Sequence, residues 1–130
     1  MASSDHGAGV AAALGGLIAD ADRAALTGAF ANHLAAGMRA SVSSGVAGWR
    51  DDDLAFITGW GFALTEGGPL PVAIWQGDQD RMVPFAHGQW LAANIPGARA
   101  YLLPGEGHLT ISVSGIGRIL DDLLDLGGLS

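Results

Sequence analysis

Cysteine and lysine are both absent from this 130-residue chain, and each absence removes a class of chemistry. Without cysteine there is no disulfide, no thiol nucleophile and no cysteine-based zinc site, and the redox compartment is not legible. All six basic residues are arginine. No amine is available for Schiff-base or pyridoxal chemistry, for a P-loop or for the lysine of a kinase. Long apolar runs are missing too. The longest largely apolar stretch, Val10 to Ala19, is broken by Gly15-Gly16 and is too short to span a bilayer. It ends at Ala19-Asp20-Ala21 like a signal-peptide cleavage site, but Asp5 precedes it and no positive charge does, so a cytoplasmic chain is expected. Basic charge is scarce overall: thirteen acids leave a net charge of −7 and a pI near 4.6. Such a surface repels phosphate backbones and anionic lipid, which excludes nucleic acid and membrane surfaces as partners.

What is present is apolar. Residues of that class make up 49% of the chain, and the mean hydropathy is +0.33. A packed core follows, in a chain long enough for one domain that buries roughly 65–70% of its unfolded surface. Met1 to Gly9 is small and polar and reads as frayed, and Val10 to Ala19 reads as a short helix weakened by glycine. Asp20 or Asp22 caps a longer helix from Asp22 to Ser44. Its apolar residues recur every four positions at Ala25-Leu26, Ala29-Phe30, His33-Leu34, Gly37-Met38 and Val42, and Gly45 and Gly48 end it. Asp51, Asp52 and Asp53 read as acids at a helix N-terminus rather than metal ligands, because three consecutive carboxylates point in different directions and no histidine is near. Phe56, Ile57, Trp60 and Phe62, in the segment Leu54 to Phe62, read as core or as the wall of a pocket.

The breaker cluster Gly67-Gly68-Pro69-Leu70-Pro71 divides the chain into a helical segment over 1–66 and an α/β segment over 67–130. Val72 to Gln76 is a near-continuous apolar run, the pattern of a strand buried on both faces of a parallel sheet. Pro84 opens a helix to about Asn94, Ala98 to Leu103 forms a second strand, and a last helix ends at Gly127-Gly128. That helix carries Ile116, Ile119, Leu120, Leu123 and Leu124 on one face.

Chemistry concentrates where the two strands end. The first runs into Gly77-Asp78-Gln79-Asp80-Arg81-Met82-Val83-Pro84, the second into Pro104-Gly105-Glu106-Gly107-His108. Asp80 and His108 are 28 residues apart, room for one crossover helix between parallel strands, which leaves the loops at their carboxyl ends side by side. A histidine titrating near neutrality accepts a proton, and a carboxylate on its other nitrogen fixes the tautomer and stabilises the imidazolium. These two motifs resemble the C-terminal part of the α/β-hydrolase family, whose triad runs Ser, Asp or Glu, His along the chain. The resemblance covers about Pro71 to Leu126, with residues 20 to 66 more loosely like the end of a helical cap. It implies that Asp80 is the orienting acid and His108 the general base, while Asp78 falls at a variable position.

The fold expected is therefore α/β: a partial α/β-hydrolase fold, with a helical, cap-like N-terminal half and a β-α-β-α unit built on two parallel strands. The family's nucleophile elbow, G-x-S-x-G, occurs nowhere in the sequence. Ser41, Ser43 and Ser44 are the nearest cluster of serines, and they read as a polar helix terminus. The resemblance thus implies the C-terminal portion of a serine hydrolase for an ester or similar small substrate, with the serine in a missing N-terminal segment or a partner chain. The alternative is a non-catalytic remnant or an oligomerisation or interaction module. No cofactor or metal is expected. Glycine pairs such as Gly59-x-Gly61 follow no strand and make a poor dinucleotide site, and His6, His33 and His87 read as surface residues. A two-stranded sheet is marginal alone, so a homodimer is expected, with Trp75, Phe56, Trp60 and the 22–44 helix in its interface.

Overall fold

The computed structural model describes residues 6–68 and 70–129. Met1 to Asp5 of the expected frayed terminus, the His6 side chain and Pro69 of the breaker cluster lie outside the described residues. The architecture is mixed α/β, with one two-stranded parallel sheet. Four helices come first: α1 (His6–Leu14), α2 (Asp20–Ala25), α3 (Gly28–Ser41) and α4 (Ala47–Phe56). Strand β1 (Ala73–Gly77), helix α5 (Phe85–Asn94), strand β2 (Arg99–Leu103) and helix α6 (Thr110–Leu126) follow. No helix among the described residues is long and apolar enough to cross a membrane.

The β-α-β-α unit has the expected order and direction. β1 and β2 pair from Ala73 opposite Arg99 to Gly77 opposite Leu103, and the intervening helix starts just after Pro84, which stands at its N-cap. Side chains alternate across a strand, so the two helices take opposite faces. On one face Trp75 stacks on Tyr101, with ring centroids 4.0 Å apart, and the Arg118 guanidinium of α6 lies 5.4 Å from the Trp75 ring. On the other, Gly88 of α5 lets the helix approach so closely that a Cβ there would overlap the amide of Gln76. α6 is pinned down by polar contacts as well. Tyr101 donates its hydroxyl to Asp122 Oδ1 at 2.8 Å, and Arg99 donates to Asp122 Oδ1 at 2.8 Å and to Asp125 Oδ2 at 2.6 Å.

The helical half departs from expectation in four places. Residues His6 to Gly9 are helical rather than frayed, since α1 spans His6–Leu14 and ends in a 3-10 turn at Gly15–Leu17. The single helix expected from Asp22 to Ser44 is two, because Thr27 is extended and Gly28 takes a positive φ of 54°, turning the chain so that α3 packs on α1. Leu26 at the corner is buried in the core with Val10, Ile18 and Ala35, flanked by Phe30, Leu34 and Met38. Gly48 lies inside α4 instead of ending a helix, and Asp51, Asp52 and Asp53 occupy the body of α4, not its first turn. The aromatic segment is not core, since Phe56 is 74%, Ile57 82% and Trp60 62% exposed, and Phe56 and Trp60 line an open surface concavity instead. Nothing in α4 is buried.

α6 likewise leaves most of its apolar face open. Ile116, Leu120, Leu123 and Leu124 face solvent, and the buried positions are Gly115 and Asp122. Asp122 is drawn inward by Tyr101 and Arg99. Trp75, expected in a dimer interface, is half-buried between Tyr101 and Arg118.

Candidate active site

Parallel pairing carries the loop after β1 and the loop after β2 to the same end of the sheet, and backbone bonds then join them. Asp78 N–H donates to Leu103 O at 3.0 Å and Gln79 N–H to Glu106 O at 2.9 Å. Asp78 Oδ1 accepts from Gly105 N–H at 2.8 Å. Gly77 makes the seam possible, since a Cβ there would overlap the Glu106 carbonyl.

Asp80 sits at the turn of the first loop. Its Oδ1 accepts from the N–H groups of Met82 and Val83, both at 2.8 Å, a short-range pattern that aspartate forms readily. From below, buried Gln76 donates to Val83 O at 2.9 Å and Pro84 O at 3.1 Å, fixing the far side of the same loop. With Oδ1 engaged, Oδ2 points across the seam and meets His108 Nδ1 at 2.9 Å. An ionised carboxylate only accepts, so Nδ1 carries the proton of that bond, and in the neutral ring the lone pair then lies on Nε2. The acid side chain is 6% exposed and the imidazole 39%. A shielded carboxylate therefore orients a ring that is itself partly open to solvent.

The turn carrying His108 is held by a residue that local patterns do not reveal. Asp22 on α2, fully buried, accepts from His108 N–H at 3.1 Å, Leu109 N–H at 2.8 Å and Thr110 N–H at 3.1 Å. It does not open the long helix for which its type suited it, and acts instead on the start of α6. Met82 and Leu109, neighbours of the dyad on either loop, pack against the Val10–Ile18–Leu26 core. Both dyad loops thus rest on the N-terminal helices.

Asp122 is a second acid whose role shows only in the fold. Burial pushes its carboxyl up, but the hydrogen bonds from Arg99 and Tyr101, together with the nearby Trp75 indole, outweigh that and hold it below the ordinary carboxylate range. The same acceptor raises the Tyr101 phenol, while Asp125 and then Asp122 raise the Arg99 guanidinium. Trp75 Nε1 and Asp122 Oδ2 are buried without a well-formed hydrogen bond. This network clamps α6 and, through it, the histidine turn.

The remaining candidates lie apart from the dyad. Ser41 and Ser43 donate their hydroxyls to Met38 O at 2.9 Å and Ala40 O at 2.7 Å, at and just past the end of α3. Asp51 pairs with neighbouring Arg50 at 2.7 Å, and His33 and His87 are exposed. Two surface concavities flank α4. One of about 260 Å³ is lined by Trp49, Asp52, Asp53, Ala55, Phe56 and Trp60, and neither includes Asp80 or His108. Among the described residues no three acids or histidines converge as a metal site would require. No family model, curated protein or solved structure matches this chain.

Proposed function

We propose that Asp80 and His108 are the acid and base of a serine-hydrolase site of the α/β-hydrolase kind, acting on an ester or similar small substrate, with the serine contributed by another segment or chain. One observation carries this reading: a 2.9 Å bond from the imidazole to a carboxylate that is 6% exposed, on a ring that is itself 39% exposed. Nε2 accepts the serine proton as Oγ attacks the substrate carbonyl, Asp80 stabilises the imidazolium, and the proton then passes to the leaving alcohol. The β-α-β-α order and the sequences Gly77 to Pro84 and Gly105 to His108 support the family assignment. The serine is sought elsewhere because G-x-S-x-G is absent here and the hydroxyls of Ser41 and Ser43 are engaged by helix carbonyls.

The test is a fluorophosphonate probe applied to the tagged chain purified from its native host. Labelling is expected on a serine of an associated or continuous polypeptide, and His108→Ala should cut it by about 10³-fold or more. Labelling confined to Ser41, Ser43 or Ser44, or no labelling at all, would defeat the reading.

A second reading, an interaction module that forms a homodimer, draws on the exposure of Phe56, Ile57 and Trp60. Side chains of that size are seldom left open together on a monomer. This surface and α3 form the proposed contact, without Trp75.

A further inference from the structure

The histidine turn is gripped from two sides. Asp80 holds the ring of His108 through Nδ1, and Asp22, 86 residues earlier, holds its backbone N–H. Both Asp22 oxygens are committed: Oδ1 to the N–H groups of Leu109 and Thr110, Oδ2 to that of His108. The first turn of a helix leaves N–H groups unpaired and favours negative charge beside them. α6 has no cap of its own, since Leu109 at its N-cap offers no acceptor. Capping the helix requires only Oδ1. Oδ2 is directed at the histidine itself.

The packing around this carboxylate is equally specific. Gly107 lies against it so closely that a Cβ would overlap both Asp22 oxygens, and Gly107 N–H is held by Thr110 Oγ1 at 2.7 Å. The peptide before His108 therefore has little freedom to slide. On the opposite side Gln79 N–H binds Glu106 O at 2.9 Å, so the turn is pinned between the acid loop and α2.

We propose that Asp22 is a positioning residue for His108: by anchoring the histidine's own N–H it keeps Nδ1 on Asp80 and Nε2 turned outward, which makes α2 part of the dyad's scaffold. A role in catalysis rests on the acid–base reading above, whereas the positioning itself is read directly from the imidazole.

Asp22→Asn separates the two roles of the carboxylate. The amide oxygen keeps Leu109 and Thr110, where it satisfies two donors, and the amide NH2 then faces the His108 N–H, donor against donor. In the wild type, the amides of His108, Leu109 and Thr110 should exchange with solvent roughly 100-fold more slowly than unstructured amides. Nitrogen-15 spectra of the neutral ring should show the Nδ1–H tautomer. In Asp22→Asn the His108 amide should exchange roughly 10-fold faster or more, with Leu109 and Thr110 still protected, and the ring should become a mixture of tautomers. Gly107→Ala, which displaces the carboxylate without altering its charge, should do the same to the ring.

A wild-type His108 amide that exchanges like an open loop, or a folded Asp22→Asn that keeps the wild-type tautomer and exchange, overturns the proposal. If circular dichroism shows Asp22→Asn unfolded, Gly107→Ala and the wild-type rates decide. Loss of the tautomer in a chain whose host complex fails to label with fluorophosphonate would sink the hydrolase reading and leave the positioning role intact.

Discussion

Replacing Gly77 by alanine drives one methyl group into the seam that joins the two dyad loops. The new Cβ would overlap the Glu106 carbonyl and lie 2.8 Å from the Glu106 Cβ. Carbon atoms pack best at about 3.5–4.0 Å, so the histidine loop must retreat by roughly 1 Å. The obstacle is backbone, which no rotamer change can relieve. Overpacking of this kind costs about 1–3 kcal/mol, and the Gln79 N–H bond to Glu106 O, 2.9 Å in the native chain, is worth about 1 kcal/mol more. The total is about 2–4 kcal/mol, or on the order of 10 °C in Tm for a domain of this size. Urea unfolding followed by tryptophan fluorescence measures the loss, and the tautomer of His108, two residues beyond Glu106, reports whether the dyad opens. Gly117→Ala is the control: it lies within α6 with nothing near its would-be Cβ, and should be neutral or stabilise by up to about 1 kcal/mol. A Gly77→Ala chain within about 0.5 kcal/mol of wild type, the scatter of ordinary surface changes, and with an unchanged imidazole would refute the proposed close apposition of the loops.

Gln76→Leu should cost about 1–3 kcal/mol by stranding the carbonyls of Val83 and Pro84, measured by the same urea titration. The depressed Asp122 carboxyl contributes stability that is present above the unfolded carboxylate value and is lost as pH falls from about 4 through the lower folded value; Asp122→Asn should flatten that acid limb of the Tm-against-pH curve. Tyr101 has the opposite sign: its raised phenol contributes stability that is present below pH about 10 and lost as pH climbs through the folded value, so Tyr101→Phe should flatten the alkaline limb. Light scattering of Trp60→Ser should give a monomer where the wild type gives a dimer, and a wild-type monomer at micromolar concentration would end the homodimer reading.

The parts of this molecule legible in its sequence are those set by neighbouring residues. A run such as Val72 to Gln76 has one comfortable state, a strand covered on both faces, and Pro84 can open α5 because its missing N–H costs nothing there. The separation of Asp80 from His108 matched a crossover connection, and the structure brings the pair to 2.9 Å. The helix break at Thr27-Gly28 was not legible, because the four-residue apolar repeat continues through it and only the packing of α3 on α1 requires the corner. Which way the apolar face of α6 points was not legible for a similar reason. Its leucines announce an apolar stripe, but Asp122 is drawn under the helix by Tyr101 and Arg99, and that contact orients the helix.

Residue types and their spacing by themselves determined the strands, the helices that flank them and the two side chains at their ends, since each depends on backbone preferences and periodicity within a few residues. Only the tertiary structure decided which acid holds the histidine turn. Asp22 reads locally as one more helix-start aspartate, and its part in the site appears when folding closes an 86-residue separation and surrounds its carboxylate with the N–H groups of His108, Leu109 and Thr110. A contact of that range leaves no mark on the residues beside it, because its energy comes from burying one group against another rather than from the conformational preference of either.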